Sequence, residues 1–368
     1  MKVGIMSMQR IINYGSFLQA YGLKKTIENL GHTVEFVDYK VGEPLVDEVS
    51  VSSNESKIKR IMKVLFSKKY RKMRNAQIIE NQAFSEFNYK FENEWSPLLE
   101  ITRDKNISPK LDTLVIGSDE VFNCTQSNSD VGYSPQLFGF ENNANRLITY
   151  AASFGSTTLE KLKKYDKDKE IAEYLSNFNA ISVRDNNSHN IVKQLIGKDP
   201  IDSIDPALLY DLNKEIEGIN INLKDYVVVY AYSGRINEDE AKEIQRFAHS
   251  KGKKTLSIGV RQAFTDLYVM ADPFTLLAYI KNADYVVTDT FHGTVFSIKY
   301  QIPFGTIIRD SNSEKLQDLL NKFSLENRRI LDISNIDSVM DNRLDKVDVK
   351  KKLEQYQNLA KEYLKNNI

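Results

Sequence analysis

The sequence predicts an α/β fold in which two domains, each built around a parallel β-sheet, enclose a cleft, with a helix at the C-terminus. Three observations lead to this prediction. Short apolar strands rich in β-branched residues alternate with helical patterns through most of the chain, as in βαβ units. The 368 residues exceed the roughly 250 to 300 at which one hydrophobic core usually stops growing. A polar, weakly periodic segment at 211–224 interrupts the alternation and is the expected linker.

The N-terminal domain, predicted at 1–210, contains the first series of alternating elements. It opens with the strand KVGIMSM and a helix that runs from Ser16 to Leu30. The later strands are short and apolar, as expected for strands buried in a parallel sheet. They are TVEFVDY at 33–39, LDTLVIG at 111–117, RLITYAAS at 146–153 and AISVR at 180–184.

The C-terminal domain, predicted at 211–345, repeats the same alternation. Its strands are YVVVYAY at 226–232, KKTLSIGV at 253–260, ADYVVTD at 283–289 and FGTIIR at 304–309. Two lobes of similar construction imply a cleft between them, and such a cleft is the default active site.

The last segment, 346–368, predicts a helix that packs back on the body of the protein. Its apolar residues form one stripe: Val349, Leu353, Tyr356, Ala360 and Tyr363. The stripe needs a surface to cover, and packing across the first lobe or within the second satisfies it equally well.

Composition narrows the classes of function. The chain carries 50 basic and 50 acidic residues, which argues against a nucleic-acid-binding protein that relies on bulk positive charge. The single cysteine, Cys124, can form neither an internal disulfide nor a cysteine metal cluster, as expected in a reducing cytoplasm. The first residues lack the apolar core of a secretory signal, and no segment has the about 20 apolar residues that span a bilayer. We therefore expect a soluble cytoplasmic protein.

The most informative segment is TDTFHGTVFSIKY, 288–300, which places one of four histidines on the turn between a buried strand and a helix. Ligands of open α/β sheets bind at this end of the strands. Gly293 lets the backbone come close to a ligand, Thr294 can cap the helix, and free N–H groups of the first turn attract anions. His292 is therefore a candidate acid or base beside an anion site; the alternative is an ordinary helix cap.

Two more turns follow strands of the first domain. Asn13 and Gly15 lie in the turn before the first helix, in the position of a phosphate-binding loop but without a GxGxxG or Walker pattern. Ser118, Asp119 and Glu120 follow the strand LDTLVIG, and either acid can orient a sugar hydroxyl or act as a base if it faces the cleft. Helix capping explains both turns equally well.

Three arginines stand at the ends of predicted strands: Arg184, Arg261 and Arg309. A guanidinium group binds a carboxylate or phosphate through two parallel hydrogen bonds, a geometry that lysine does not reproduce. Each is therefore a candidate anion ligand, although pairing with a neighbouring acid such as Asp185 or Asp310 explains each one taken alone.

A basic amphipathic segment at 57–74, KIKRIMKVLFSKKYRKMR, holds nine lysines and arginines and no acid. It predicts peripheral contact with an anionic membrane surface, at the inner face of the cell membrane, or with an acidic lipid-linked acceptor. A solvated basic helix face is the alternative. Metal-ligand spacings and the GxSxG elbow of serine hydrolases are absent, so neither a metal nor a serine nucleophile is expected.

Several motifs occur in the order and at the separations found in one known family. NYGSFLQAYGLKKTIENLGHTVEFVDY, IGSDEVFN, YAASFG, SVRD, DPALL and TDTFHGT together resemble the polysaccharide pyruvyl transferase family across most of the chain. Its members commonly read SVRE, DPTLL and TDSFHGT at the last three motifs. This chain departs from the family at GSDEVFN, commonly GSDQVWN, where Glu120 replaces an amide and Phe122 replaces tryptophan.

The resemblance implies two Rossmann-like domains in a GT-B-like arrangement and no cofactor. It implies transfer of pyruvate from phosphoenolpyruvate to a sugar of a cell-surface glycan, free or lipid-linked, to form a ketal. His292 then matches the family's acid or base and Arg184 its SVR arginine, with Asp119 as a second catalytic candidate. The expected donor contacts also include Arg261, Gly293, Thr294 and Arg309. The expected acceptor contacts are Asn13, Gly15, Ser118 and Glu120.

Two other functions are compatible with the same features. A GT-B glycosyltransferase that uses a nucleotide sugar shares the two-lobed cleft and the phosphate contacts at a helix end. A non-catalytic relative that binds a glycan or a biosynthetic partner also retains the fold.

Overall fold

The computed structural model describes residues 1–46, 68–126 and 128–368, and in 68–77 it describes the backbone alone. The strands are β1 (Lys2–Met6), β2 (Thr33–Phe36), β3 (Lys110–Ile116), β4 (Asn143–Thr149), β5 (Ser182–Val183), β6 (Ile201–Asp202), β7 (Tyr226–Tyr230), β8 (Lys254–Ile258), β9 (Leu267–Val269), β10 (Tyr285–Thr288), β11 (Phe304–Ile307) and β12 (Arg329–Ile330). The helices are α1 (Tyr14–Asn29), α2 (Lys68–Lys90), α3 (Leu159–Lys164), α4 (Asp168–Ser176), α5 (Asn186–Ile196), α6 (Pro206–Leu209), α7 (Glu238–Ser250), α8 (Pro273–Lys281), α9 (Phe291–Tyr300), α10 (Ser313–Lys322), α11 (Ile336–Asp341) and α12 (Lys346–Asn367). Short 3₁₀ or π turns lie at Phe91–Trp95, Ser96–Leu99, Pro135–Phe138, Glu326–Arg328 and Ile333–Asn335.

The strands form two separate parallel sheets. The order in the first lobe is β2-β1-β3-β4, and the order in the second is β12-β11-β10-β7-β8-β9. β5 and β6 pair with each other and join the first sheet through a parallel bridge between Ile148 and Ala180. This arrangement confirms the predicted fold of two Rossmann-like lobes.

Each sheet has one point at which the strand order reverses. In the first lobe this point lies between β1 and β3, and in the second it lies between β7 and β10. Ligands of open α/β sheets bind in the crevice outside the carboxyl ends of the strands at such a point. A ligand site is therefore expected at the loops that follow these four strands.

The strands are apolar because both faces of each sheet are covered by helices. In β7 the three consecutive valines and Tyr226 are buried, which is the continuous apolar pattern of an interior parallel strand. The two lobes also contact each other directly. Phe17 and Tyr21 of α1 meet Phe274 of α8 at ring-centroid distances of 6.1 and 5.1 Å.

The C-terminal helix α12 contacts both lobes. Tyr356 packs against Phe323 of the second lobe, with ring centroids 5.7 Å apart. Nearer the chain end, the hydroxyl of Tyr363 donates to the carbonyl of Thr149 in the first lobe at 2.8 Å. The apolar stripe therefore covers the junction of the lobes, a solution that uses both surfaces considered from the sequence.

The predicted linker and the basic segment lie in different parts of the sequence. Residues 211–224 contain neither strand nor α-helix and lie between the last element of the first lobe and β7. Of the basic segment 57–74, residues 57–67 lie outside the described part of the chain and the rest begins α2, so membrane contact there stays a prediction. Of the helices described, none is both long and apolar enough to cross a bilayer.

Candidate active site

A cavity of about 320 Å³ lies between the two lobes. It is bordered by the loops after β1, β3, β7 and β10, the four strands that flank the two reversal points. The first lobe contributes Asn13, Ser16, Asp119, Glu120 and Arg184 to the lining. The second lobe contributes Tyr232, Arg235, Phe291, His292 and Lys315.

His292 is the second residue of α9 and is 7% exposed. Thr290 caps this helix by accepting a hydrogen bond from the N–H of Gly293 at 2.9 Å, which fixes where the helix starts. The imidazole lies against Gly15 of the first lobe, and a Cβ at position 15 would overlap its ring. Gly15 thus matters because it has no side chain, and any larger residue would displace His292.

Asp205 lies on the buried side of the imidazole. Its Oδ2 is 3.6 Å from Nε2 of His292, and the side chain is fully buried. It also caps α6 by accepting from the N–H of Ala207. Burial opposes ionisation, but the interactions with His292 and Arg184 prevail and lower the pKa of Asp205. At 3.6 Å the contact is electrostatic rather than a hydrogen bond, and an ionised carboxylate in this place can orient the imidazole through its charge.

Arg184 is held between two carboxylates. Nη1 donates to Asp205 at 2.9 Å and Nη2 donates to Asp119 at 3.3 Å. The guanidinium carbon lies 4.4 Å from the ring centroid of Phe291, within cation–π range. Burial disfavours the charge, but the two carboxylates outweigh it and raise the pKa of Arg184. The group is a permanent cation beside the histidine.

Asp119 accepts three hydrogen bonds. Oδ2 accepts from the Ser16 hydroxyl at 2.8 Å, and Oδ1 accepts from Arg184 and from the N–H of Glu120. Burial works against ionisation, but the charges of Arg184 and His292 lower the pKa of Asp119. Asp119 therefore holds the guanidinium of Arg184 at the cavity wall, and its expected role as an acid or base stays a prediction.

Two further cations of the second lobe face the cavity. Nζ of Lys315 lies 2.6 Å from Oε1 of Glu120, so this ion pair crosses from one lobe to the other. Burial raises the pKa of Glu120, but the interactions with Lys315 and Arg184 together outweigh burial, so the pKa of Glu120 is lowered overall. Arg235 donates to the Ser311 hydroxyl at 3.0 Å and stays partly exposed. With Arg184, these groups make the cavity suited to an anionic ligand.

A family model now bears on this site. The model described as polysaccharide pyruvyl transferase matches residues 13–311, which is most of the chain. The matched range includes every site residue described in this subsection except Lys315. The chain belongs to the polysaccharide pyruvyl transferase family. This confirms the resemblance drawn from the motifs and places the protein in a family of transferases. No curated protein matches the chain.

Among solved structures, several two-lobed sugar enzymes are similar at low identity. UDP-GlcNAc 2-epimerase from Neisseria meningitidis, bound to UDP-GlcNAc, has a TM-score of 0.47 and 9% identity over 98% of this chain and 94% of its own. Heptosyltransferase WaaC of E. coli with ADP has a TM-score of 0.38 and 12% identity, over 85% of this chain and 90% of its own. Glycosyltransferase SsfS6 of Streptomyces sp. SF2575, complexed with thymidine diphosphate, has a TM-score of 0.45 and 10% identity, over 99% of this chain and 98% of its own.

Some residues expected to bind the donor of a pyruvyl transferase lie elsewhere. Arg261 is not part of the cavity lining, and its guanidinium carbon stands 5.5 Å from the ring centroid of Tyr268. Arg309 donates to both carboxylate oxygens of Glu240, at 2.5 and 2.9 Å. Both expectations are corrected because these charges are directed at partners outside the cavity.

Two amides at the start of α9, those of Gly293 and Thr294, are engaged within the helix. The N–H of Gly293 is bonded to the Thr290 side chain, and the N–H of Thr294 donates to the Thr290 carbonyl at 3.3 Å. The Thr294 hydroxyl pairs with that of Thr306 at 2.9 Å. The expected phosphate contact through Gly293 and Thr294 is therefore corrected, because the helix cap already satisfies both groups.

Some of the residues expected to bind the acceptor lie at the cavity surface and others do not. Asn13 and Glu120 line the cavity, whereas Ser118 is fully buried and contributes no surface. Asn13 caps α1 through the N–H of Gly15, and its amide donates to the Tyr232 hydroxyl at 3.3 Å, linking the lobes. In the part of the chain that the structure describes, no cluster of three or more His, Cys, Asp or Glu side chains could hold a metal ion.

Three functional candidates escaped sequence reasoning: Asp205, Arg235 and Lys315. Arg235 follows the predicted strand β7, but only the sheet order of the structure shows that β7 lies beside β10 at the reversal point. Asp205 stands in the DPALL motif and was visible as a helix cap before proline. Lys315 lies on α10, and nothing in its local sequence distinguishes it from other surface lysines.

Proposed function

We propose that the protein transfers the pyruvate unit of phosphoenolpyruvate to two hydroxyl groups of a sugar in a cell-surface glycan, forming a ketal. Membership of the pyruvyl transferase family supports the proposal. The observation that carries it is that His292 and Arg184 both contact Asp205 and both line a cavity between the lobes that holds three cationic side chains.

The donor has two anionic groups on a three-carbon unit, and the cavity has cations on both of its sides. Arg184 of the first lobe is the proposed ligand of one group, the carboxylate. Arg235 and Lys315 of the second lobe are the proposed ligands of the phosphate. Because Lys315 pairs with Glu120, binding of the phosphate to Lys315 exchanges one negative partner for another.

The chemistry requires one acid, one base and a leaving group. His292 donates a proton to the methylene carbon, so the adjacent carbon becomes electrophilic. A sugar hydroxyl attacks that carbon and gives up its proton to the imidazole, and the phosphate departs as its bond to carbon breaks. A second hydroxyl then attacks the same carbon and closes the ketal ring, and its proton is taken up by the departed phosphate, which leaves as hydrogen phosphate. The products are the ketal and inorganic phosphate. Asp205 keeps the imidazole of His292 oriented throughout.

The test is release of inorganic phosphate from phosphoenolpyruvate that depends on an added glycan acceptor. The acceptor should gain the mass of one pyruvic acid less one water. Tight binding of a nucleotide sugar without phosphate release would instead support a glycosyltransferase. Absence of both signals across glycan and lipid-linked acceptors would indicate a non-catalytic relative.

Replacement of Arg235 by glutamine should raise the KM for phosphoenolpyruvate. A hydrogen bond to a charged group contributes about 1.5–3 kcal/mol, so the expected rise is roughly 10- to 150-fold. Arg261→Gln is the matched control, because Arg261 also follows a strand of the second lobe but lies outside the cavity lining. The measurement is the steady-state KM for phosphoenolpyruvate of both variants. Equal KM values for Arg235→Gln and Arg261→Gln would show that Arg235 does not bind the donor.

A further inference from the structure

A second recess, of about 760 Å³, lies on the first lobe beside the catalytic cavity. Met8, Ile11 and Asn128 line both spaces, so the two spaces adjoin. The remaining walls come from the segments after β1 and β2, from α2 and from the residues around 130. We name this space the side recess. Its volume falls in the roughly 300–1,000 Å³ range of small-molecule sites.

The side recess differs from the catalytic cavity in charge. Arg10 and Asp38 in its wall neutralise each other through hydrogen bonds of 2.5 and 2.7 Å. The other charged residues of the lining are Lys105, Glu92 and Asp130, which leaves one negative charge in excess. A donor with a carboxylate and a phosphate is therefore better matched to the cationic cavity. The side recess suits an uncharged, polar ligand.

One buried polar atom of the side recess has no partner. Oδ1 of Asn88 on α2 makes no hydrogen bond within the described part of the chain and is shielded from solvent. Buried polar atoms of folded proteins are nearly always hydrogen-bonded. Rotation of the Asn88 side chain, which lines the side recess, would bring this oxygen to a ligand hydroxyl that supplies the missing bond. Glu92 and Asp130 add further acceptors on the same wall.

An apolar surface completes the side recess. The ring of Phe84, one helical turn before Asn88, lines it and is 55% exposed. Met8 and Ile11 continue the apolar wall toward the catalytic cavity. A sugar ring has an apolar face of C–H groups and a rim of hydroxyls, so it matches a wall that combines an aromatic ring with hydrogen-bond acceptors. Aromatic lining with a few placed polar groups is typical of small-molecule sites.

We propose that the side recess binds the neutral saccharide acceptor, with Phe84 against the C–H face of a sugar ring and Asn88 accepting from a hydroxyl. The reacting hydroxyl pair then reaches the catalytic cavity past Ile11, where the two spaces adjoin. The role as acceptor site rests on the proposed function, whereas the binding of a neutral saccharide does not.

The experiment measures binding to the full-length protein by titration NMR. The probes are methyl β-D-galactoside, methyl β-D-glucoside and lactose, with phosphoenolpyruvate measured separately. Phe84→Ala and Asn88→Leu should each weaken saccharide binding at least about tenfold and change the affinity for phosphoenolpyruvate less than about twofold. Tyr89→Ala is the matched control, because Tyr89 is on the same helix, 65% exposed and outside the recess lining. It should bind as the unmodified protein does.

Two results would overturn the assignment: no saccharide probe binds the unmodified protein, or both recess variants bind as it does. The assignment also fails if transfer to an acceptor occurs and the acceptor KM is unchanged in Phe84→Ala and Asn88→Leu, a result that leaves the proposed function intact. Saccharide binding that depends on Phe84, without phosphate release from phosphoenolpyruvate, would contradict the proposed function and support the recess.

Discussion

Replacement of His292 by glutamine is expected to lower kcat by about 10²- to 10⁴-fold, the usual contribution of a positioned proton donor or acceptor. Glutamine keeps a polar side chain against Gly15 but cannot shuttle a proton between the acceptor hydroxyl and the donor methylene. The measurement is the rate of phosphate release from phosphoenolpyruvate at saturating donor and acceptor.

The control for this variant is His249→Gln. His249 is exposed, pairs with Asp266 at 2.9 Å and lies outside the cavity lining, so its replacement should leave kcat unchanged. His249→Gln should keep the Tm of the unmodified protein, whereas His292→Gln should remain folded with a lowered Tm, because the buried imidazole packs against Phe291 and Phe296. If kcat of His292→Gln stays within threefold of the unmodified value, His292 does not transfer the proton.

The sequence predicted the architecture because its main strands are buried on both faces. β7 and β10 are runs of valine and other apolar residues, and such runs give a strong signal in any parallel sheet. β9 and β12 escaped prediction for the opposite reason. They are edge strands of three and two residues, partly exposed, and too short to show a period.

The candidate site was predictable where function and local sequence coincide. His292 and Arg184 each follow a recognisable strand, so their positions at the cleft could be foreseen from the chain alone. Which of the arginines line the cavity could not be foreseen from the sequence. Arg309 and Arg235 both follow strands of the second lobe, and only tertiary structure reveals that Glu240 engages the first while the second lines the cavity.

The helix-end expectation failed for a related reason. A glycine and a threonine at the start of a helix look like an anion site, but Thr290 forms a cap that satisfies the N–H of Gly293. Capping and anion binding compete for the same N–H groups. Here the cap holds His292 in place, and the positive charge for the ligand comes from side chains of both lobes.

The second large effect is expected for Asp205→Asn, a change behind the cavity rather than in it. The variant leaves the buried Arg184 with Asp119 as its remaining carboxylate partner. Removing one member of a buried ion pair costs about 3–5 kcal/mol. For domains of this size the Tm should fall by roughly 6 to 20 °C. The kcat should fall as well, because the imidazole of His292 loses the carboxylate that orients it.

The pH dependence of this loss separates a buried ion pair from ordinary packing. Folding lowers the pKa of Asp205 from an unfolded value near about 3.9, so its contribution to stability is present above that pH and is lost as the pH falls through the folded pKa. The difference in Tm between the unmodified protein and Asp205→Asn should therefore be largest near neutral pH and shrink below about pH 4. Asp104→Asn, at an exposed carboxylate, is the control and should show no such difference. A difference that is the same at pH 7 and below pH 4 would mean that Asp205 stabilises the fold without its charge, and its proposed part in orienting His292 would have to be abandoned.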